Sequence, residues 1–145
     1  MKVVFLSYGD VKYSRSAVYF SGTNLEKYFR SVAPGLLNSL KTLWKLQGEF
    51  NTRDTILVVM SPSHLLAIYL ALFTKFVIVL DAGWPLSDSS GESYIRIKNT
   101  LIDYLAFNLA DSVIFESKAQ VRHSQKKFKL NSAKLYLLYT SLNET

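Results

Sequence analysis

Two acidic residues stand where short apolar segments end. Asp81 follows the apolar run 76–80, and Glu116 follows the run 113–115. If both runs are strands of a parallel sheet, the two carboxylates lie at the carboxyl edge of that sheet, where α/β proteins bind ligands. A carboxylate there can accept hydrogen bonds from sugar hydroxyls or act as a general base. It can equally bind the backbone amides of the turn that follows.

Other side chains near these strand ends are candidates for substrate contact. Trp84, in the segment DAGWPL, can stack on a sugar ring or pack beneath its own loop. His64 follows another apolar run and opens an apolar helix, so it can bind substrate or serve as a structural histidine at a helix terminus. Ser7, Tyr8 and Gly9 follow the first apolar run, and we place them opposite the two acids.

Several kinds of site have no support in the sequence. The chain has no cysteine, and its two histidines do not form a pair with metal-ligand spacing. No GxxxxGK[ST] motif occurs, and the segment SYGD carries a single glycine where a dinucleotide site needs GxGxxG. We therefore expect neither a metal nor a cofactor.

A basic segment gives the chain much of its net charge of +6. It is predicted to be helical, with Ser117 as its N-cap. It can contact an anionic membrane surface, or it can be a solvated helix face. Since Phe128 is its one aromatic residue, we expect no nucleic-acid partner. The candidate cations of this segment are Lys118, Arg122, Lys126 and Lys127.

Apolar runs alternate with helical patterns along the chain, which predicts an α/β fold with a parallel sheet and helices on both faces. The length of 145 residues fits one domain. The predicted strands are residues 2–6, 55–60, 76–80, 112–115 and 134–139. The predicted helices are residues 21–32, 36–50, 61–73, 93–110 and 117–128.

Capping residues give provisional boundaries for these helices. Thr23 or Asn24 is the expected N-cap of the first helix, and Gly48 the expected terminator of the second. Ser61 is expected to cap the third helix, with Pro62 at its first position. In the fourth helix the apolar side consists of Ile97, Leu101, Tyr104, Leu105 and Leu109. Asp111, just beyond that helix, is expected to cap or anchor a turn.

The segment TILVVMSPSHLLAIYLALFTKFVIVL is apolar enough to raise the question of a membrane span. A spanning helix needs about 20 uninterrupted apolar residues. Five residues divide the segment into pieces of strand, helix and strand length, namely Ser61, Pro62, Ser63, His64 and Lys75. We therefore interpret it as a buried βαβ unit.

Three segments together resemble a known family. VIVLDAGWPL, IDYLAFNLADSVIFESKAQ and KLYLLYTSLNE are similar to the N-terminal domain of GT-B glycosyltransferases of the family 4 group. In that family a strand ends in an Asp-containing motif followed by Trp-Pro, and a helix ends in Ala-Asp before the next strand. The family's second strand has no clear counterpart between Arg30 and Asn51. The matching positions are Asp81, Trp84, Pro85, Ala110, Asp111, Val113, Ile114 and Ser117.

The resemblance implies that residues 1–145 form one Rossmann-like domain, the acceptor-binding half of a glycosyltransferase. Such an enzyme moves a sugar from a nucleotide-sugar to a glycan or lipid-linked acceptor. The donor is bound by a C-terminal domain, which this chain lacks, so the chain alone is expected to be inactive. The resemblance also implies a cytoplasmic location, with possible contact at the inner face of the membrane. In this interpretation Asp81 is the catalytic candidate.

Two other interpretations stay open. The chain can be a natural subunit that pairs with a separate donor-binding chain, or a non-catalytic α/β module that binds a ligand or a partner. The sugar, the acceptor, the stereochemical course and the oligomeric state are not determined by the sequence.

Overall fold

A computed structural model describes residues 1–9, 24–82, 85–89 and 91–137. Within these residues, strands and helices alternate along the chain. The strands are β1 (Lys2–Ser7), β2 (Glu26–Ser31), β3 (Thr55–Met60), β4 (Val77–Asp81), β5 (Ser112–Phe115) and β6 (Leu135–Leu137). The helices are α1 (Leu36–Glu49), α2 (His64–Phe73), α3 (Ser93–Leu109) and α4 (Lys118–Phe128), with short 3₁₀ segments at Leu86–Ser89 and Ser132–Lys134.

The described strands form one parallel sheet of six strands in the order β2-β1-β3-β4-β5-β6. From β1 the chain passes to β2 on one side, then crosses back to β3 on the other side. The strand order therefore reverses between β1 and β3, which defines a topological switch point. The predicted α/β class and the Rossmann-like arrangement are confirmed.

The larger core lies on the face of the sheet that carries Val4, Leu57, Ile78 and Val113. All four described helices pack on this face, since each contributes buried side chains to the same cluster. Helices were predicted on both faces of the sheet, and within the described residues they lie on one face only. A smaller cluster on the opposite face contains Val3, Phe5, Val58 and Met60. The β1–β2 connection, residues 10–23, lies outside the described residues, as does the end of the last predicted strand.

The segment Thr55–Asp81 confirms the predicted βαβ unit. β3 and β4 pair in register from Ile56–Val77 to Met60–Asp81, with α2 as the crossover between them. Within the described parts of the chain, none of the helices is long and apolar enough to cross a membrane.

The helix predicted for residues 21–32 is wrong, because residues 26–31 form the edge strand β2. The adjacent aromatic residues of β2, Tyr28 and Phe29, pack on opposite faces of the sheet, as the two-residue period of a strand requires. The rings of Tyr28 and Phe50 pack edge to face with their centroids 5.0 Å apart, and those of Phe29 and Phe5 are stacked with centroids 5.2 Å apart. Parallel pairing with β1 therefore outweighs the helical pattern of this short segment.

Two predicted helix ends are also wrong. α2 begins at His64 with Ser63 as its N-cap, so Ser61 and Pro62 belong to the preceding turn. α1 continues through Gly48, because the Phe50 amide still donates to the Leu46 carbonyl.

Other predicted anchors are confirmed. The Ser117 hydroxyl caps α4 by accepting from the Gln120 amide. The Asp111 carboxylate accepts from the Ile78 amide at 2.8 Å and so ties the loop after α3 to the start of β4. Lys134 adds a contact that the sequence did not suggest, since its ammonium group donates to the carbonyls of Asn108 and Ala110 at the end of α3. Cations at this end of a helix are stabilising.

The side of α3 that faces the core is not the predicted one. Ile97 is 72% exposed and Leu101 59% exposed, whereas Asp103, Ala106 and Phe107 are buried. α3 is apolar on two sides, so its sequence pattern did not determine which side packs against the sheet.

Candidate functional site

A pocket of about 300 Å³ lies at the carboxyl edge of the sheet, at the switch point between β1 and β3. The loop after β1, the first turns of α1 and α2, the 3₁₀ segment and the middle of α3 form its walls. The lining residues are Tyr8, Pro34, Gly35, Leu36, Pro62, Leu65, Tyr69, Leu86, Lys98, Asn99 and Ile102.

Ser63 holds the two loops of the switch point together. Its hydroxyl accepts a hydrogen bond from the Tyr8 amide at 2.9 Å and lies 3.3 Å from the Ser7 hydroxyl. The Ser7 hydroxyl in turn accepts from the Gly9 amide at 3.1 Å. The loop after β1 is therefore fastened to the start of α2, and Tyr8 is held at the pocket.

The Tyr8 side chain is fixed by α1. Its hydroxyl lies 2.9 Å from the Ser39 hydroxyl, which donates to the Gly35 carbonyl at 2.8 Å. Because Ser39 uses its proton for that carbonyl, Tyr8 donates to Ser39. Burial raises the pKa of Tyr8 above its ordinary value, so the ring presents a neutral phenol to the pocket.

Two helices begin at the pocket, and neither has a side-chain cap. α1 begins after Gly35, whose φ of 113° is a conformation that glycine adopts readily and other residues avoid. α2 begins after Ser63, whose hydroxyl is engaged by the Tyr8 amide instead of capping its own helix. Uncapped first-turn amides carry partial positive charge and favour an anionic group.

The polar side chains of the lining can donate and accept hydrogen bonds. They are the two phenols of Tyr8 and Tyr69, the Asn99 amide and the exposed Lys98 ammonium group. No carboxylate is among the described residues that line the pocket. The remaining walls are apolar. This combination suits a ligand with hydroxyl or phosphate groups and an apolar portion.

Asp103 organises the wall of the pocket formed by the 3₁₀ segment. Its buried carboxylate accepts hydrogen bonds from the amides of Leu86 and Ser87, both at 2.9 Å. Two side chains of α4 also hold this segment, since Lys127 donates to Ser87 and Asp88 and the Nε2 atom of His123 lies 2.7 Å from the Asp88 carboxylate. Sequence reasoning missed Asp103, although a single acid among the apolar residues of a helix was a usable signal.

The structure places His64 behind the pocket, outside its lining. The ring is completely buried, lies edge to face against Phe107, and has its Nε2 atom 3.8 Å from the Asp103 carboxylate. Neither ring nitrogen has a hydrogen-bond partner within the described residues. Burial lowers the pKa of His64, opposed by the charge of Asp103, so we assign the neutral form.

The predicted acids lie at the same sheet edge but apart from the pocket. Asp81 is 3% exposed, and its strand neighbours Met60 and Ile114 share its face of the sheet, opposite the helices. Glu116 is half-buried at the start of α4, where its amide donates to the Gln120 side chain. Trp84 lies outside the described residues.

Of the predicted surface cations, Lys118, Arg122 and Lys126 are exposed on α4. Lys127 instead contacts the 3₁₀ segment, as described above. In the described part of the chain, no group of three or more His, Cys, Asp or Glu side chains is placed to hold a metal ion.

Comparisons with known protein families and curated proteins do not assign the chain to a family. Neither the models of known protein families nor the curated proteins contain a match to this chain.

Proposed function

We propose that the protein is the acceptor-binding half of a glycosyltransferase and that the pocket holds the acceptor. The transfer moves a sugar from a nucleotide-sugar to a glycan or lipid-linked acceptor. The nucleotide-sugar is bound by a further domain or by a partner chain.

One observation carries this proposal, namely that the pocket sits at the switch point of the sheet. Ligands of doubly wound α/β proteins bind in the crevice outside the carboxyl ends of the strands, where the strand order reverses. Here Tyr8 follows β1 while Pro62 and Leu65 follow β3, and these three residues line the pocket.

The chemistry of the lining supports an acceptor that has a polar group and an apolar portion. Lys98 and the first turns of two helices favour a phosphate, and the phenols and the Asn99 amide suit sugar hydroxyls. Leu36, Leu65 and Ile102 offer apolar contact to a lipid or aglycone portion.

The described lining lacks a carboxylate, which supports a division of labour between two halves. Because Asp81 is buried away from the pocket, we assign acceptor contact to the pocket residues and leave the reacting groups to the donor-binding half. The same observation favours a second candidate, a non-catalytic module that binds the same class of ligand.

Binding of small probes tests this function. We expect hexyl phosphate and hexyl glucoside to shift the backbone amide resonances of Tyr8, Gly35 and Leu65 in the isotope-labelled protein. UDP-glucose is expected to leave them unchanged, because the donor belongs to the other half. The substitution Lys98→Gln should weaken hexyl phosphate binding about fivefold, which corresponds to about 1 kcal/mol.

Arg122→Gln is the matched control, since it removes an exposed cation outside the pocket and should leave the affinity unchanged. Shifts caused by UDP-glucose alone, or the absence of any shift at the pocket, would contradict the proposal. To separate an enzyme from a binding module, the protein is mixed with a donor-binding chain recovered from its source and assayed for sugar transfer to a bound acceptor.

A further inference from the structure

The outward side of α1 exposes large apolar side chains. Leu36 is 56% exposed, Leu37 66%, Leu40 40% and Trp44 82%. They recur on one side of the helix, next to the side that packs on the core through Ser39, Leu43 and Leu46. Clustered exposed apolar residues of this size mark interaction sites more often than isolated ones do.

Two cations accompany this apolar strip. Lys41 and Lys45 are exposed on the same helix and lie beside Leu40 and Trp44 around a shallow groove. The one acid of α1 is Glu49 at its last residue, where it pairs with Arg30. We call Leu36, Leu37, Leu40, Lys41, Trp44 and Lys45 the α1 surface.

The apolar area continues onto the end of the neighbouring helix. Leu72 is 56% exposed and Phe73 60% exposed, both in the last turn of α2. The two helices contact each other there, because the Gln47 side chain donates to the Phe73 carbonyl at 3.4 Å. The exposed apolar area therefore extends over two helices, α1 and α2.

We propose that the α1 surface rests on an anionic lipid membrane, with α1 lying in the plane of the interface. Leucine side chains can insert among the acyl chains, tryptophan prefers the level of the head groups, and lysines can reach anionic phosphates while their stems stay apolar. Charge disfavours a second copy of this chain, since both surfaces would carry the exposed Lys41 and Lys45 and, within α1, no acid except Glu49, which pairs with Arg30. This inference concerns a surface distinct from the basic helix α4, and it does not depend on sugar transfer.

Tryptophan fluorescence provides a direct test. The chain has two tryptophans, so Trp84→Phe leaves Trp44 as the only one. We expect its emission to shift to shorter wavelength with vesicles of equal parts phosphatidylcholine and phosphatidylglycerol at low salt. Brominated lipids in those vesicles should quench it. Vesicles of phosphatidylcholine alone should have a much smaller effect, because the lysines then lack anionic partners.

Substitutions on α1 should weaken the partitioning of this protein into anionic vesicles, measured by sedimentation. Lys41→Gln combined with Lys45→Gln should weaken it about tenfold, since each lysine near an anionic surface contributes on the order of a fewfold change. Leu37→Ser should also weaken partitioning into anionic vesicles, and it leaves Trp44 in place as the fluorescent reporter. These positions are exposed, so the fold is expected to tolerate the changes.

Two controls use exposed positions elsewhere. Lys118→Gln combined with Lys126→Gln removes two cations from α4, and Tyr136→Ser removes a 53%-exposed aromatic from the opposite face of the sheet. Both variants should bind vesicles as the parent does. The proposal is overturned by an unshifted Trp44 with anionic vesicles, by loss of binding in the α4 control alone, or by a shift that follows protein concentration without vesicles, which would indicate self-association.

Discussion

His64 and Asp103 are the residues whose positions were hardest to derive from the sequence. Both are completely buried: the imidazole packs against Phe107 with its Nε2 atom 3.8 Å from the Asp103 carboxylate, and that carboxylate accepts from the amides of Leu86 and Ser87. We therefore interpret Asp103 as the anchor of the 3₁₀ segment and His64 as a neutral packing residue.

The buried imidazole should make stability depend on pH. Its folded pKa is lowered by burial, while the unfolded chain has the ordinary value of about 6.5. The unfolded state therefore binds more protons once the pH falls below about 6.5. The stability that the neutral, buried His64 contributes is fully present above that pH and is lost as the pH decreases towards its folded pKa. We expect the free energy of unfolding in urea to be lower at pH 5.5 than at pH 7.5.

His64→Gln should reduce this pH dependence, because the group that titrates is gone. His123→Gln serves as the control, since it removes the other histidine of the chain, which is partly exposed and paired with Asp88. An equally steep dependence in both variants would show that a carboxylate, and not His64, is responsible.

At the scale of single elements, α3 shows the limits of periodicity. The outward strip contains Tyr94, Ile97, Leu101 and Tyr104, and the inward strip contains Ile102, Ala106 and Phe107. Both strips recur at three- and four-residue spacing, so both satisfy a helical pattern. The inward strip contains Asp103 as well, which made it look like the polar side.

Substitutions on the two sides of α3 should have very different costs. Phe107→Ala should lower the free energy of unfolding by about 3–5 kcal/mol, because it leaves a cavity among His64, Phe115 and Phe128. Ile97→Ser should change it by less than about 0.5 kcal/mol, since the side chain is mostly exposed. Urea denaturation of both variants measures the difference, and a larger cost for Ile97→Ser than for Phe107→Ala would mean that the helix packs by its other side.

Across the whole molecule, the sheet sets a gradient of stability. β3 is paired on both sides, with β1 and with β4, and all but one of its residues are buried. β6 has three residues, one ladder among the described strands, and no buried side chain. Local opening of an element with so little burial costs less than global unfolding.

Amide hydrogen exchange should show this gradient. We expect the β3 amides to exchange only through global unfolding, with protection that follows the urea-derived free energy. The β6 amides should exchange faster, through local opening. Equal protection of the two strands would indicate that β6 is covered by more than its ladder with β5.

The sequence by itself determined the α/β class, four of the strands nearly to their ends, and three of the helices to within one residue at each end. Apolar runs such as those of β1, β3 and β4 are largely buried, and Ser117 makes a local contact with Gln120 that its neighbours in sequence already suggest. Burial of continuous apolar runs and capping are local properties, so a linear pattern expresses them.

The tertiary structure alone decided the strand β2, the inward side of α3 and the composition of the pocket. β2 exists because its backbone pairs with β1, and α3 turns its Asp103 inward because two amides of a distant segment need an acceptor. The pocket draws Tyr8, Gly35, Pro62 and Lys98 from four separate segments. Each of these features depends on partners far away in sequence, whose free energy contributions appear only once the sheet has brought them together.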